Sequence, residues 1–141
     1  MTVWHRIEKI GMRLVLCNGC FDGIHVGHIE HFKQAKAFGD RLIVSVTDDE
    51  HVRLEKGAGR PAFTQDERAE VIRCLRMVDG VIIVGGAMDA LTRVNPDVFV
   101  KGPDYKDRIK PEHDQYCREH GIEIRFTEGR KYSSASVAHE F

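Results

Sequence analysis

A chain of 141 residues, 42% hydrophobic and 30% charged, is composed like an ordinary globular protein with a sizeable core. Its 21 basic and 22 acidic side chains give a formal charge of −1, which leaves no electrostatic footprint for nucleic acid and no polybasic patch for a membrane. Apolar runs of roughly four to six residues fall far short of a membrane span, and the mixed segment Met1–Lys9 lacks a signal peptide's apolar core, so a cytoplasmic protein is expected.

Arg13–Cys17 reads as the first strand, an aliphatic run suited to burial on both faces. A glycine-bearing turn follows, then His25 and His28, three apart, at the head of a helical pattern over Val26–Phe38 that Gly39 stops. Arg41–Val46 is the second strand, with Thr47-Asp48-Asp49 at its carboxyl end. Lys56 to Pro61 is a loop whose glycines and proline disfavour helix. Thr64-Gln65-Asp66-Glu67 is a capping box opening a helix with an apolar stripe of Ala69, Val71, Ile72, Leu75 and Val78. Gly80–Val84 is the third strand, and Ala87–Val94 is a short helix closed by Asn95-Pro96. Asp97–Lys101 is the fourth strand, followed by the irregular Gly102–Asp107. A Pro111-to-Gly121 helix through Tyr116 and Cys117 leads to the last strand, Glu123–Phe126.

This alternation predicts an α/β fold: a single doubly wound, Rossmann-like domain over residues 1–141, core about 13–137, whose five-stranded parallel sheet is flanked by helices. Ligands of such sheets sit outside the carboxyl ends of the strands. The segment Asn18–His28, Thr47-Asp48-Asp49 and Lys101–Asp107 are therefore expected to converge on one crevice.

The offer made at that edge is phosphate chemistry. Backbone N–H groups of a turn and a helix N-terminus carry partial positive charge. Histidines at i and i+3 share one helical face there and supply donors that can meet charge developing on phosphorus. His31, one turn further, extends the same face and is expected to be solvated or packed. The chain has no serine elbow, no H-E-x-x-H pair and no Walker lysine, so in-line attack at a nucleotide's α-phosphate fits best. A competing reading is a non-catalytic metal or redox module built on Cys17, Cys20 and the nearby histidines. A nucleotide-binding protein without turnover is a third.

Gly19-Cys20-Phe21-Asp22 with His25-Val26-Gly27-His28 resembles the G-[TC]-F-D-x-x-H-x-G-H signature of the cytidylyltransferase-like nucleotidyltransferase superfamily. The resemblance runs from about Leu14 to Val137 and takes in Arg60-Pro61, Glu67-Arg68 and Val78-Asp79. The run Val100-Lys101-Gly102-Pro103-Asp104-Tyr105 is similar to adenylyltransferases that activate heptose 1-phosphate for lipopolysaccharide or capsule precursors. Glycerol-3-phosphate cytidylyltransferases using CTP come second, and adenylyl transfer to a flavin-type acceptor third.

The resemblance implies transfer of a nucleoside monophosphate, first of all AMP from ATP, to a sugar phosphate, with release of pyrophosphate, Mg²⁺ as cofactor and a homodimer. It implies that His25 and His28 stabilise charge on the α-phosphate, and that Cys20 and Phe21 present backbone N–H groups beside Gly27. Asp22 orients the loop or helps hold Mg²⁺. Lys56 closes over phosphate unless it is a solvated loop lysine, and Arg68 contacts phosphate unless it is an ordinary helix charge. Lys101, Asp104 and Tyr105 meet the nucleoside or the sugar. Ser133, Ser134 and Ser136 resemble a hydroxyl-rich turn against the nucleotide, with Ala135 where a third hydroxyl is usual.

Overall fold

The computed structural model describes residues 12–129. Strands β1 (Leu14–Gly19), β2 (Arg41–Thr47), β3 (Gly80–Val84), β4 (Val98–Lys101) and β5 (Glu123–Phe126) alternate with helices α1 (Val26–Lys36), α2 (Asp49–Lys56), α3 (Gln65–Arg73), α4 (Ala87–Val94) and α5 (Pro111–Glu119). Every pairing is parallel and the order is β3-β2-β1-β4-β5, the doubly wound sheet expected from the alternation.

The two faces of β1 explain the two helical layers. Val15 and Cys17 pack with Phe32 and Ala35 of α1 and Ala69 and Ile72 of α3, while Leu14 and Leu16 pack with Ala90, Leu91 and Val94 of α4 and Cys117 of α5. Side chains alternate along a strand, so an unbroken aliphatic run feeds both cores at once. Burying each such side chain contributes roughly 1.5–3 kcal/mol.

Helix ends follow local chemistry. Thr64 Oγ1 accepts from Glu67 N at 3.2 Å while Glu67 Oε1 accepts from Thr64 N at 2.9 Å, the capping box read from the sequence. Helix α2 has no counterpart among the expected elements. It buries only Val52, so no apolar stripe announces it, and Asp48 starts it by accepting from His51 N at 2.8 Å.

Two expectations about α3 are corrected. Val71, assigned to the apolar stripe, is half exposed, and Arg68 joins Ala69 and Ile72 on the buried face. Arg68 is 2% exposed, and its guanidinium donates from Nε to Phe63 O at 2.9 Å, from Nη1 to Cys20 O at 2.7 Å and Thr47 O at 2.8 Å, and from Nη2 to Asp49 Oδ1 at 2.8 Å. These acceptors lie at the exit of β1, the end of β2, the start of α2 and the approach to α3, where strand and helix ladders give out. Only a planar fork of donors fits four acceptors at once.

Arg68→Met therefore leaves three carbonyls and a carboxylate unmatched, and urea unfolding should show a loss of about 3–5 kcal/mol. A loss below about 1 kcal/mol, the range of ordinary surface changes, would contradict this account.

Candidate active site

Because the chain leaves β1 toward β2 and β3 and later returns to lay down β4 and β5, a crevice opens between the carboxyl ends of β1 and β4. A cavity of about 590 Å³ occupies it, within the usual range for a small-molecule site. Its walls come from the exit of β1, the first turns of α1, the exit of β4, Lys56 at the end of α2, Arg60, and the exit of β5.

The β1 exit is shaped by Phe21, which takes a left-handed backbone conformation (φ +52°) and turns its ring back over the strand end. The ring meets His28 edge-on at 5.5 Å and Phe32 at 5.2 Å between centroids. A Cβ on Gly19 would lie 2.8 Å from Phe21 Cζ, so the glycine is required by the ring above it.

His25 and His28 form the N-terminal cap of α1 reciprocally. His25 Nδ1 accepts from Gly27 N at 3.1 Å, and His28 Nδ1 accepts from His25 N at 3.2 Å. A backbone N–H can only donate, so each Nδ1 is bare and each neutral ring carries its proton on Nε2. The rings lie 3.9 Å apart, tilted by 31°. Burial holds His25 below its ordinary pKa and, with the charges of His25 and His31, pushes His28 down to about 4. The helix thus opens with two neutral N–H donors at its positive end.

Asp22 is a loop anchor. Its carboxylate accepts from Ala62 N at 2.7 Å and Phe63 N at 2.9 Å, with Arg60 Nε 3.5 Å away. Burial alone would raise its pKa, but the two N–H donors, Arg60 and Arg68 outweigh that and hold it low. On the far wall, the Lys101 ammonium sits 4.3 Å from the centre of the Tyr105 ring, and burial depresses its pKa. His31 Nδ1 lies 2.8 Å from Thr127 Oγ1, and burial followed by the Lys101 charge pushes its pKa down to about 4.

Of the residues singled out from the sequence, His25, His28, Lys56, Cys20, Phe21, Asp22, Gly27, Lys101, Asp104 and Tyr105 line this one cavity. Arg68 does not: its donors are all directed to Phe63, Cys20, Thr47 and Asp49, so the expected phosphate contact is replaced by a structural one. Thr47, Asp48 and Asp49 do not reach the crevice either, because Asp48 caps α2 and Asp49 pairs with Arg68. Ser133, Ser134, Ala135 and Ser136 lie outside the described residues.

Arg60, which the sequence offers only within the resembling Arg60-Pro61 pair and with no role, also lines the cavity, as does His31, expected to be solvated or packed. The i+3 spacing from His28 was the signal for His31, and the partner Thr127, 96 residues away, was the part no spacing could show.

The described residues do not suit a resident metal. Among the described residues no group of three His, Cys, Asp or Glu could hold an ion, and Asp22 is already engaged by the loop. Cys17 is fully buried, which pushes its thiol far above the reactive range, so a redox pair with Cys20 is not supported. Among the described residues no helix is long and apolar enough to cross a membrane.

Residues 16–135 match the family model described as Cytidylyltransferase-like. The Bifunctional protein HldE of Methylococcus capsulatus is 41% identical over 128 residues, covering 87% of this chain and 27% of that protein. The Shewanella amazonensis protein of the same name is 48% identical over 98 residues, 68% of this chain and 21% of that protein. The chain thus spans about a quarter of the length of these curated relatives. A crystal structure of the lipopolysaccharide core biosynthesis protein from Thermoplasma volcanium superposes with a TM-score of 0.69 at 30% identity, covering 87% of this chain and all of that one. A protein of unknown function from Archaeoglobus fulgidus shares the fold, with a TM-score of 0.66 at 20% identity over 87% of this chain and 96% of its own.

The depressed histidines make stability depend on pH. A group whose folded pKa lies below its unfolded value of 6.5 contributes fully above pH 6.5 and loses that contribution as pH falls toward about 4. Proton NMR should find His28 and His31 titrating near 4, with unfolding free energy declining over the same interval; midpoints near 6.5 for both rings would refute the burial account.

Proposed function

The chain belongs to the cytidylyltransferase-like family, and from that premise we propose that it transfers a nucleoside monophosphate, AMP from ATP, to the phosphate of a sugar 1-phosphate of the heptose class. The observation that carries the reading is the reciprocal histidine cap: two neutral Nε2–H donors at a helix N-terminus inside the crevice between β1 and β4.

The α-phosphate is assigned to the mouth of α1, where the positive end of the helix and the Nε2–H donors of His25 and His28 serve it. An acceptor phosphate oxygen attacks the α-phosphorus, the bond from that phosphorus to the bridging oxygen breaks, and pyrophosphate leaves. Charge grows on the phosphoryl oxygens and on the leaving group, and preorganised N–H donors stabilise it without reorganising. Since each Nδ1 is occupied as a cap acceptor, these rings act as hydrogen-bond donors rather than as bases.

Lys56 and Arg60 supply positive charge for the pyrophosphate portion, with Asp22 fastening the Arg60 loop at Ala62 and Phe63. Lys101, Asp104 and Tyr105 are assigned to the sugar or nucleoside side. Magnesium enters as the complex of the nucleotide, whose phosphates supply the oxygen ligands it prefers. The heptose class of acceptor is supported by the V-K-G-x-D-Y run at Val100–Tyr105 and by the identity shared with the HldE proteins and the lipopolysaccharide core biosynthesis protein. A cytoplasmic homodimer belongs to the same reading, and sedimentation equilibrium tests the dimer.

A pyrophosphate-release matrix crossing ATP, CTP, GTP and UTP with sugar 1-phosphates and glycerol 3-phosphate tests the proposal. Release should be greatest with ATP and a heptose 1-phosphate. His28→Ala should lower kcat about 10²–10³-fold, the effect of losing one transition-state donor, with a small change in KM. Silence across the whole matrix with both histidines intact would sink the assignment.

A further inference from the structure

We infer that His31, oriented by Thr127, is a sugar-hydroxyl-binding residue that sets specificity at the β4–β5 side of the cavity; the inference rests on the nucleotidyl-transfer reading. His31 lies one helical turn beyond His28 on α1 and lines the same cavity. Its Nδ1 is held 2.8 Å from the hydroxyl of Thr127, a 3% exposed residue just beyond β5, so the ring is fixed in orientation. One turn further, the Gln34 side-chain amide donates to Glu128 O and accepts from Glu128 N, each at 2.7 Å. The exit of β5 is therefore fastened to α1 at two successive residues, which makes this wall rigid enough to discriminate between ligands.

Charge sorts the two ends of the cavity. Lys56 and Arg60 line the cavity, Arg60 3.5 Å from Asp22 just before α1, and are assigned to the polyphosphate. Around His31 the lining includes Asp104 and Glu128, carboxylates that repel phosphate and accept from hydroxyls. Lys101, the cation at this end, is seated against the Tyr105 ring. A nucleotide whose α-phosphate sits at His25 and His28, with its polyphosphate toward Lys56 and Arg60, projects its remaining portion toward His31. A neutral imidazole anchored through one nitrogen pairs with a hydroxyl through the other in either tautomer, because a hydroxyl both donates and accepts. Two hydroxyl-bearing groups reach this end, the ribose of the donor and the sugar of the acceptor.

Isothermal titration calorimetry of the whole chain distinguishes them. One arm compares ATP with 2′-deoxyATP and 3′-deoxyATP; the other compares a sugar 1-phosphate with its deoxy analogues in the presence of a non-hydrolysable ATP analogue. The wild type should prefer the hydroxylated ligand by about five- to tenfold in one arm, the scale of one hydrogen bond. His31→Leu should abolish that preference while leaving tripolyphosphate affinity unchanged. Thr127→Val should reduce it in the same arm, and the double variant should be no worse than His31→Leu, as expected for groups acting as a unit. Loss in the ATP arm assigns the ribose, and loss in the other arm assigns the acceptor sugar. The inference is overturned if the wild type is indifferent in both arms, if His31→Leu leaves both preferences intact, or if it weakens tripolyphosphate as much as ATP. A wild type that binds none of these ligands overturns the nucleotidyl-transfer reading, and this inference with it.

Discussion

The guanidinium of Arg68 joins four chain segments at the carboxyl edge of the sheet, through hydrogen bonds to Phe63, Cys20, Thr47 and Asp49. Parallel strands end abruptly there, and their last carbonyls have no ladder partner. Burying those carbonyls without a donor would cost about 1–3 kcal/mol each. With the arginine in place, the β1 exit, the start of α2 and the approach to α3 are held at fixed distances from one another. The crevice walls inherit that spacing. A residue absent from the cavity lining thereby helps set the position of the cavity's walls.

The opening of α1 shows how one set of contacts serves folding and chemistry together. Helix N-termini need acceptors for their unpaired N–H groups, and serine, threonine or aspartate is the usual solution. Here histidine does it twice, and the same hydrogen bonds select the tautomer with a proton on Nε2. Phe21 adds the apolar contact that keeps His28 neutral by burial. Capping, ring packing and tautomer choice are three descriptions of one arrangement.

Asp22 illustrates how a motif carboxylate at the cavity wall can serve the protein's own loop. Two backbone N–H groups of the following loop occupy it, and Arg60 stands at 3.5 Å, so its negative charge is answered within the protein. The result is a tether across 40 residues that brings Arg60 to the cavity. The motif's acidic residue thus acts through the placement of a cation at the cavity.

Local physics was legible from the residues alone. The five strands, the Thr64 capping box, the histidine pair at i and i+3 and the crevice at the strands' carboxyl ends all follow from periodicity and turn chemistry. Contacts between residues distant in sequence were decided only by the tertiary structure. Arg68 reads as a phosphate contact or an ordinary helix charge because an α-helical pattern says nothing about the carbonyls waiting under the residue. His31 read as solvated or packed because Thr127 reaches it only when β5 is laid beside β4. Helix α2 escaped notice because a short helix with one buried residue owes its position to Asp48 and Arg68 rather than to its own stripe. Sequence determined which chemistry the chain offers, since residue type and short spacing carry that. The fold decided which of those groups face the ligand and which hold the walls, because that choice is made by long-range hydrogen bonds.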